Sequence, residues 1–400
     1  MPHGLAVALE TVTTVLTVAG IGYFLAATLA ARIYLRERRL PHVEFAPGVS
    51  ILKSLKGLDP GMLDAFRSHC RQSYVGEFEM LFGISSLSDP AAAAVEQLKV
   101  EFPGRAIRLV ECPERLGTNG KVSTLVQLAA YARHDFLLIN DSDITVSPRY
   151  LERVMGCFGP GSRTTGKNKA GVGLVTALYR GRAHGTLGSR LEALGVATDF
   201  MAGLLMSKMI EGGLHYGLGS TLAVSREALE NAGGLLPLAD YLADDYELGA
   251  RVAKAGYRIA VCAEVVETGV PAYDWGGFVD HQLRWARTVR DARPWGYAGL
   301  IFTHGLGLAL VNLLASGLSP LSLWLLGLSF FLRLAEAMTV GAEVLGDHEV
   351  LPRLWLLPLR DVVAMGVWVA GFAGNTIVWR GERFLLKDGK LEKQGLGNWD

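Results

Sequence analysis

The chain alternates between long stretches without charge and segments where short apolar runs are separated by polar turns. Thr11 to Ala31 holds no charged residue over 21 positions, close to the ~20 residues that cross a bilayer core as a helix. Ala298 to Leu332 is a second such stretch, of 35 positions. As one helix it would run about 50 Å, against a hydrocarbon core of about 30 Å. Gly317, Ser319 and Pro320 near its centre predict a break, in the form of a helical hairpin or a re-entrant turn. Val362 to Trp379 predicts one further span.

From Pro47 to Asp143 the pattern changes to β-rich runs alternating with helical stretches, as in a parallel sheet covered by helices. Strands are predicted at Val49 to Leu52, Phe78 to Ile84, Ala106 to Val110 and Phe136 to Ile139. Helices are predicted at Pro60 to Gln72, Pro90 to Phe102 and Lys121 to Ala132, the first two opening on proline. Further on come a strand at Gly171 to Leu178, a long helix around Leu187 to Glu211 and a strand at Thr221 to Ser225. Helices follow at Tyr246 to Ala255 and, amphipathic, at Phe278 to Arg290. The fold class expected is α/β, flanked by N-terminal and C-terminal transmembrane helices.

Charge orients this arrangement. Arg32, Arg36, Arg38 and Arg39 follow the first apolar run, whereas a cleaved signal would carry its positive charge before it, so the run reads as an anchor. Lys and Arg stay on the cytoplasmic side, which puts the N-terminus outside and the middle of the chain inside. Three crossings after that middle part would leave Arg380, Arg383, Lys387, Lys390 and Lys393 outside, and two would keep them inside; a re-entrant or interfacial segment between Ala298 and Trp379 reconciles the count. With 400 residues, 50% hydrophobic and a formal net charge of +0, the chain lacks the basic excess of a nucleic-acid binder. Cys70, Cys112, Cys157 and Cys262 show no CxxC spacing, which argues against a zinc or thiol redox motif.

Ligands of such sheets gather beyond the carboxyl ends of the strands. Asp89 falls shortly after the second strand, and Asn140-Asp-Ser-Asp143 leaves the fourth directly. Two carboxylates so close raise each other's ionisation cost, which a divalent cation relieves; turn or helix-cap acids before Pro148 are the equal alternative. Gly212-Gly-Leu-His-Tyr-Gly-Leu-Gly-Ser220 lets backbone approach a ligand or makes a plain turn. Asp244 and Asp245 open a helix, where they cap it or supply a base for an acceptor hydroxyl. In His281-Gln-Leu-Arg284-Trp285, Arg284 suits phosphate and Trp285 suits a sugar or lipid headgroup, and both also suit a helix lying at a bilayer surface.

Taken in order, Asp89, Asp141-Ser-Asp143, Asp244-Asp245 and His281-x-x-Arg284-Trp285, followed by membrane segments, resemble the ceramide glucosyltransferase family. Leu52-Lys-Ser-Leu-Lys-Gly-Leu-Asp-Pro60 is similar to that family's opening motif, and the likeness runs from about Val49 to about Arg290. The resemblance implies a GT-A fold, a Rossmann-like domain for nucleotide-diphospho-sugars. It implies that Asp89 lies near the base or ribose of the donor, that Asp141 and Asp143 hold the diphosphate and a Mg²⁺ or Mn²⁺ ion, that Lys121 lies near the donor and that Asp245 is the catalytic base. Arg284 and Trp285 match the last motif directly and are expected to serve catalysis beside Asp245, whereas His281, expected at the donor, stands where Gln or Arg is usual, leaving its own role there open.

Within the wider group, Asn140-Asp-Ser-Asp-Ile144, Tyr179-Arg-Gly-Arg182 and Tyr241-Leu-Ala-Asp-Asp-Tyr-Glu-Leu248 look more like bacterial members, some of which glycosylate hopanoids. The expectation is an inverting hexosyltransferase of a bacterial inner membrane, using UDP-glucose or UDP-N-acetylglucosamine and a ceramide-type or hopanoid lipid acceptor. The domain reading is an anchor over 1–35, a cytoplasmic catalytic domain over 45–270, an interfacial segment over 271–297, a transmembrane region over 298–380 and a cytoplasmic tail over 381–400. A processive polysaccharide synthase and a non-catalytic nucleotide-sugar-binding membrane protein are the competing readings.

Overall fold

The computed structural model describes residues 3–38, 44–160, 171–379 and 382–393. Arg39, Arg380 and 394–400, which entered the charge argument or the expected tail, lie outside the described residues.

Helix α1 (His3–Glu37) leads into an alternating α/β domain. Its elements are β1 (Val49–Ser54), α2 (Met62–Cys70), β2 (Phe78–Ile84), α3 (Ala91–Glu101), β3 (Ala106–Glu111), α4 (Gly120–Ala129), β4 (Phe136–Ile139), α5 (Tyr150–Gly156) and β5 (Val172–Ala183). There follow α6 (Leu187–Gly195), α7 (Met201–Ile210), β6 (Leu222–Ser225), α8 (Arg226–Asn231), α9 (Asp244–Lys254), β7 (Arg258–Val270) and α10 (Trp275–Ala292). The seven strands form one sheet in the order β3-β2-β1-β4-β6-β5-β7.

β1 pairs in parallel with β2 and β4, as the alternating pattern predicts, but β6 runs antiparallel to both β4 and β5. The sheet is therefore mixed, because a strand four residues long reverses direction at its centre. β7, which no run in the sequence signalled, pairs in parallel with β5 along a bulged register. Neighbours along each strand part to opposite faces. Leu52, Leu81, Leu137 and Ile139 pack with α4, and Ile51, Met80, Phe82 and Leu138 pack with α2, α3 and α5.

Among the described residues, five helical stretches are long and apolar enough to cross a membrane: Gly4–Glu37, Leu187–Ile210, Pro294–Ala315, Pro320–Val344 and His348–Gly371. Helix α1, at 35 residues, extends about 52 Å and exceeds a bilayer core by some 20 Å. Its first half exposes Leu5, Val7, Val12 and Val15, while Ala27, Ala30, Ala31 and Tyr34 of its second half are buried against the α/β domain. The Tyr34 hydroxyl donates to Cys262 O of β7 at 3.0 Å.

After α11 (Pro294–Gly299), the expected break is present: α12 (Gly305–Ala315) and α13 (Pro320–Ala337) are joined by Gly317 and Leu318 at φ 62° and 61°. α12 lies on α1 at a contact only glycine permits, since a Cβ on Gly20 would sit 2.5 Å from Gly305 Cα. Asn312 Oδ1 accepts from Thr13 and Thr14 near the far end. α13 then returns, and Arg32 of α1 pairs with Glu343 just beyond it at 2.6 Å. Arg333 of α13 bonds Glu336, Asp199 and Asp361, and Arg360 pairs with Asp199 at 2.9 Å. This knot joins α13, α14 (Leu357–Gly371) and the π-helical stretch Val196–Phe200 between α6 and α7.

The helix expected over Val362 to Trp379 ends at Gly371, and Thr376–Trp379 is strand β8. β8 pairs antiparallel with β9 (Glu382–Lys387), which pairs with β10 (Lys390–Lys393). Alternating side chains explain this: Ile377, Phe384, Leu386 and Leu391 form one buried face with Leu242 of the α/β domain.

Candidate active site

The carboxyl ends of β1, β4 and β7 meet the amino ends of α4 and α9, so strand-end acids face helix amides. Helix α4 starts at Gly120 because the Asn119 side chain accepts from Val122 N at 3.2 Å, and this cap points Lys121 toward the end of β4. Lys121 Nζ lies 2.8 Å from Asp141 Oδ1 and 3.3 Å from Asp244 Oδ2. Burial opposes its charge, but Asp141 and Asp244 outweigh burial and hold the ammonium protonated well above its usual range.

Asp245 stands in the first turn of α9, with one carboxylate oxygen accepting from Gly219 N at 2.7 Å. A Cβ on Gly219 would lie 3.2 Å from Asp245 Oδ2 and 3.5 Å from Asp141 Oδ2, so this glycine lets the two acids share one spot. Burial, then the Asp244 carboxylate, push Asp245 up to about 6, while Lys121 pulls it down. Asp143 accepts from Thr268 Oγ1 at 2.6 Å and from Gly269 N at 3.0 Å. Burial and the adjacent Asp141 raise it above the ordinary carboxylate range.

Lys53, at 1% exposure, extends from β1 beneath these acids and donates to Asp141 O at 2.9 Å. Burial lowers it to about 7, against the opposing pull of Asp143 and Asp141. Ser142 Oγ donates to Asp59 Oδ2 at 2.5 Å, tying the Asp-Ser-Asp turn to the loop after β1.

The acid site can accept a cation chemically. Asp141 and Asp143 are hard oxygen donors two residues apart, Asp143 is raised by burial and then by the Asp141 charge, and Asp141 is 45% exposed. Among the described residues no three such side chains form a cage by themselves, and Mg²⁺ or Mn²⁺ needs none when phosphates and water complete the shell.

Beside the acids a cleft of about 140 Å³ runs over the ends of β1 and β3, from Ser54 to Lys56 and from Cys112 to Arg115. Lys121 lines it too, so cleft and acid cluster are continuous. Asp89 is outside this lining. Its carboxylate accepts from Gly57 N at 3.0 Å and from Ala91 N at 2.9 Å, so it fastens the loop after Lys56 to the start of α3.

On the other side stands α10, begun by Asp274, whose side chain accepts from Gly277 N at 2.7 Å. His281 Nδ1 lies 2.8 Å from Glu192 Oε2, a buried carboxylate of α6 that also accepts from Gln282. The His281 ring stacks on Tyr273 at 5.3 Å and meets Trp285 at 5.2 Å. Trp285 packs on Phe200, and Phe200 on Tyr179. Burial first, and then Asp245, Glu192, Asp141 and Asp143, raise the Tyr179 phenol above its usual range. Arg284 is near enough to Tyr273 to oppose the rise that burial and Glu192 impose there.

The structure thus brings together Lys121, Asp141, Asp143 and Asp245, sets His281, Arg284 and Trp285 on the adjoining helix, and puts Asp89 behind the cleft. Sequence reasoning missed Lys53, Glu192, Tyr273 and the Thr268-Gly269 pair. Lys53 had a signal, its place in the Leu52 to Pro60 motif; the others had none.

The family model described as glycosyl transferase family 21 matches residues 12–392. The chain belongs to that family. Among its relatives in family 21, ceramide glucosyltransferase 3 of Caenorhabditis elegans is 24% identical over 85% of this chain and 73% of its own length. Ceramide glucosyltransferase 1 of the same organism is 23% identical over 86% and 72%. A mannosyltransferase from Pyrobaculum calidifontis, solved with GDP-mannose and Mn²⁺, superposes with a TM-score of 0.53 at 20% identity, covering 91% of this chain and 97% of its own. This family 21 chain is accordingly a glycosyltransferase of GT-A fold, with several helices apolar enough to enter a membrane.

Proposed function

We propose that the protein transfers one hexose, glucose or N-acetylglucosamine, from a UDP-sugar to a lipid hydroxyl, with inversion at the anomeric carbon. The observation that carries this reading is Asp245: a half-buried carboxylate raised to about 6, fixed by Gly219 N, and sharing its corner with Asp141. A carboxyl tuned toward neutrality suits a general base for an alcohol.

Asp245 accepts the proton of the acceptor hydroxyl, whose oxygen attacks the anomeric carbon as the bond to the diphosphate breaks. Asp141 and Asp143 would hold a Mg²⁺ or Mn²⁺ ion, which when bound neutralises charge on the leaving diphosphate; the Mn²⁺ bound by the Pyrobaculum mannosyltransferase supports this. Lys121 adds a fixed positive charge at the same place and cannot be washed out. Trp285, His281 and Tyr273 offer aromatic faces on the side toward α10, which suit the sugar ring and the lipid head. Ceramide is the acceptor in the relatives' names; hopanoid alcohols are the second class to test.

Membrane attachment is part of the same reading. The α/β domain directly precedes α10, and β10 returns to it through the Tyr241–Lys390 bridge. Both ends of the helical region 294–371 therefore lie on one side of the bilayer, and the number of crossings between them is even. In this reading the α12–α13 hairpin supplies two crossings and α14 lies along the near face, and Arg32, Arg36 and Arg38 at the C-terminal end of α1 make the cytoplasm the fitting side.

The test is purified protein in detergent with labelled UDP-glucose, UDP-N-acetylglucosamine or GDP-mannose and either ceramide or hopanoid alcohols. A single glycolipid of inverted anomeric configuration is expected. A ladder of lengthening products would point to a polymerase, and no product with any donor would sink the enzymatic reading.

A further inference from the structure

The cleft at the ends of β1 and β3 has a second wall, contributed by the far end of the chain. Trp379 of β8 and Glu382 and Phe384 of β9 line it opposite Ser54 to Lys56 and Cys112 to Arg115. The Trp379 and Phe384 rings stand 6.4 Å apart at 55°, with Phe384 2% exposed and Trp379 half-buried. Glu382 carries charge at the rim, where its partner Lys393, and then Lys56 and Arg115, hold it below the usual carboxylate range.

This wall is fastened to the segment that carries Asp244 and Asp245. Leu242 N donates to Gly389 O at 3.1 Å, Leu391 N to Asp240 O at 2.8 Å, and the Lys390 ammonium sits 5.4 Å over the Tyr241 ring. Leu242 shares one buried cluster with Phe384. From the other side, Arg287 and Arg290 of α10 donate to the carbonyls of Ala373 and Gly374, next to β8. The three-stranded sheet is thereby braced against both the third aspartate motif and the helix of His281, Arg284 and Trp285.

We propose that the C-terminal sheet completes the nucleotide subsite, with Trp379 presenting the face on which the donor's base lies and Phe384 backing it. This rests on the reading that the cleft takes the nucleotide of a nucleoside-diphosphate sugar. Three features carry it. The cleft shares Lys121 with the acid cluster, so a nucleotide there points its phosphates at Asp141. A flat base gains from stacking on an aromatic ring whatever its hydrogen-bonding edge. The Leu242–Phe384 contact lets the wall that meets the base also position the turn bearing Asp245.

The experiment is calorimetric titration of UDP with Mn²⁺ into wild-type protein, Trp379→Ala and Trp379→Phe in detergent, with hydrogen exchange of 376–379 and 382–393 in wild type with and without UDP. Expected are roughly tenfold weaker UDP binding by Trp379→Ala, binding within about threefold of wild type by Trp379→Phe, and slowed exchange in the tail strands. If Trp379→Ala does not fold, the exchange result decides alone. UDP bound equally by Trp379→Ala, or tail exchange indifferent to UDP in a wild type that binds it, overturns the role of the sheet and leaves the donor reading standing. A wild type that binds no UDP overturns both.

Discussion

Lys121 Nζ is 2.8 Å from Asp141 and 3.3 Å from Asp244, so one ammonium bridges two acidic motifs from distant parts of the chain. Its partners are unequal, Asp141 being 45% and Asp244 12% exposed, so removing the cation strands a largely buried carboxylate beside Asp245. Lys121→Met is expected to weaken UDP-sugar binding at least tenfold and to lower Tm by several degrees, since breaking a buried pair costs about 3–5 kcal/mol and partial exposure reduces that. Titration calorimetry and thermal unfolding check it. Unchanged affinity would remove Lys121 from the donor site.

Asp245→Asn keeps an oxygen for Gly219 N but cannot take a proton. UDP binding is expected to stay within about threefold, while kcat falls by roughly 10²–10⁴. Steady-state kinetics beside a binding isotherm separates the two effects, and near-normal turnover would exclude Asp245 as base.

Chelation is expected to abolish turnover, and added Mn²⁺ or Mg²⁺ to restore it, because Asp141 and Asp143 otherwise face the diphosphate as like charges. Asp143→Asn should shift the Mn²⁺ concentration needed for half activity upward about tenfold or more. Full activity in chelator would refute the metal role and leave the counter-charge to the site's own cations, Lys121 among them.

Glu79 ties β2 to its neighbours by accepting from Ser50 Oγ, Arg133 N and Arg108. Burial raises its carboxyl, but these three bonds outweigh burial and leave it below the ordinary value. A depressed folded pKa contributes stability above the unfolded value of about 4.3, and that contribution is lost as pH falls through the folded value. Glu79→Gln should therefore lower Tm at pH 7 by a few degrees, for a loss of about 1–3 kcal/mol. The gap from wild type should narrow only as pH falls below about 4, and a gap independent of pH would refute the assignment.

Even crossing of the region 294–371 is testable by labelling. Ser316→Cys at the hairpin tip should react with an impermeant maleimide in intact cells, whereas Asp388→Cys in the tail should react only after lysis. Both reacting from outside would contradict the common side of tail and catalytic domain.

The sequence made several elements legible because their signals are local. Four strand cores, the prolines and caps that start helices, and the break at Gly317 all follow from side-chain period and backbone preference within a few residues. Asp141, Asp143 and Asp245 stood out as candidates for a related reason: acids at strand ends and helix starts occupy positions where ligands of this fold class collect. β7 escaped because its buried and half-buried positions alternate through Glu264, Glu267 and Thr268, which read as polar until Arg153 and Arg180 are seen to pair with the two glutamates.

What the linear order could not decide is which distant segments share a cavity. Apolar content could announce that 362–379 leaves water, but not that its last four residues would find partners in β9 and a buried neighbour in Leu242. Nor could it reveal that Lys121 neutralises Asp141 and Asp244 together, or that Glu192 holds His281. Pairing of backbone groups and compensation of buried charge depend on contacts between residues far apart in sequence, and only the folded chain sets those distances. By itself, the sequence determined the α/β domain, its apolar helices and the candidate acids; the tertiary structure decided which of them meet, and that β8 and β9 line the cleft.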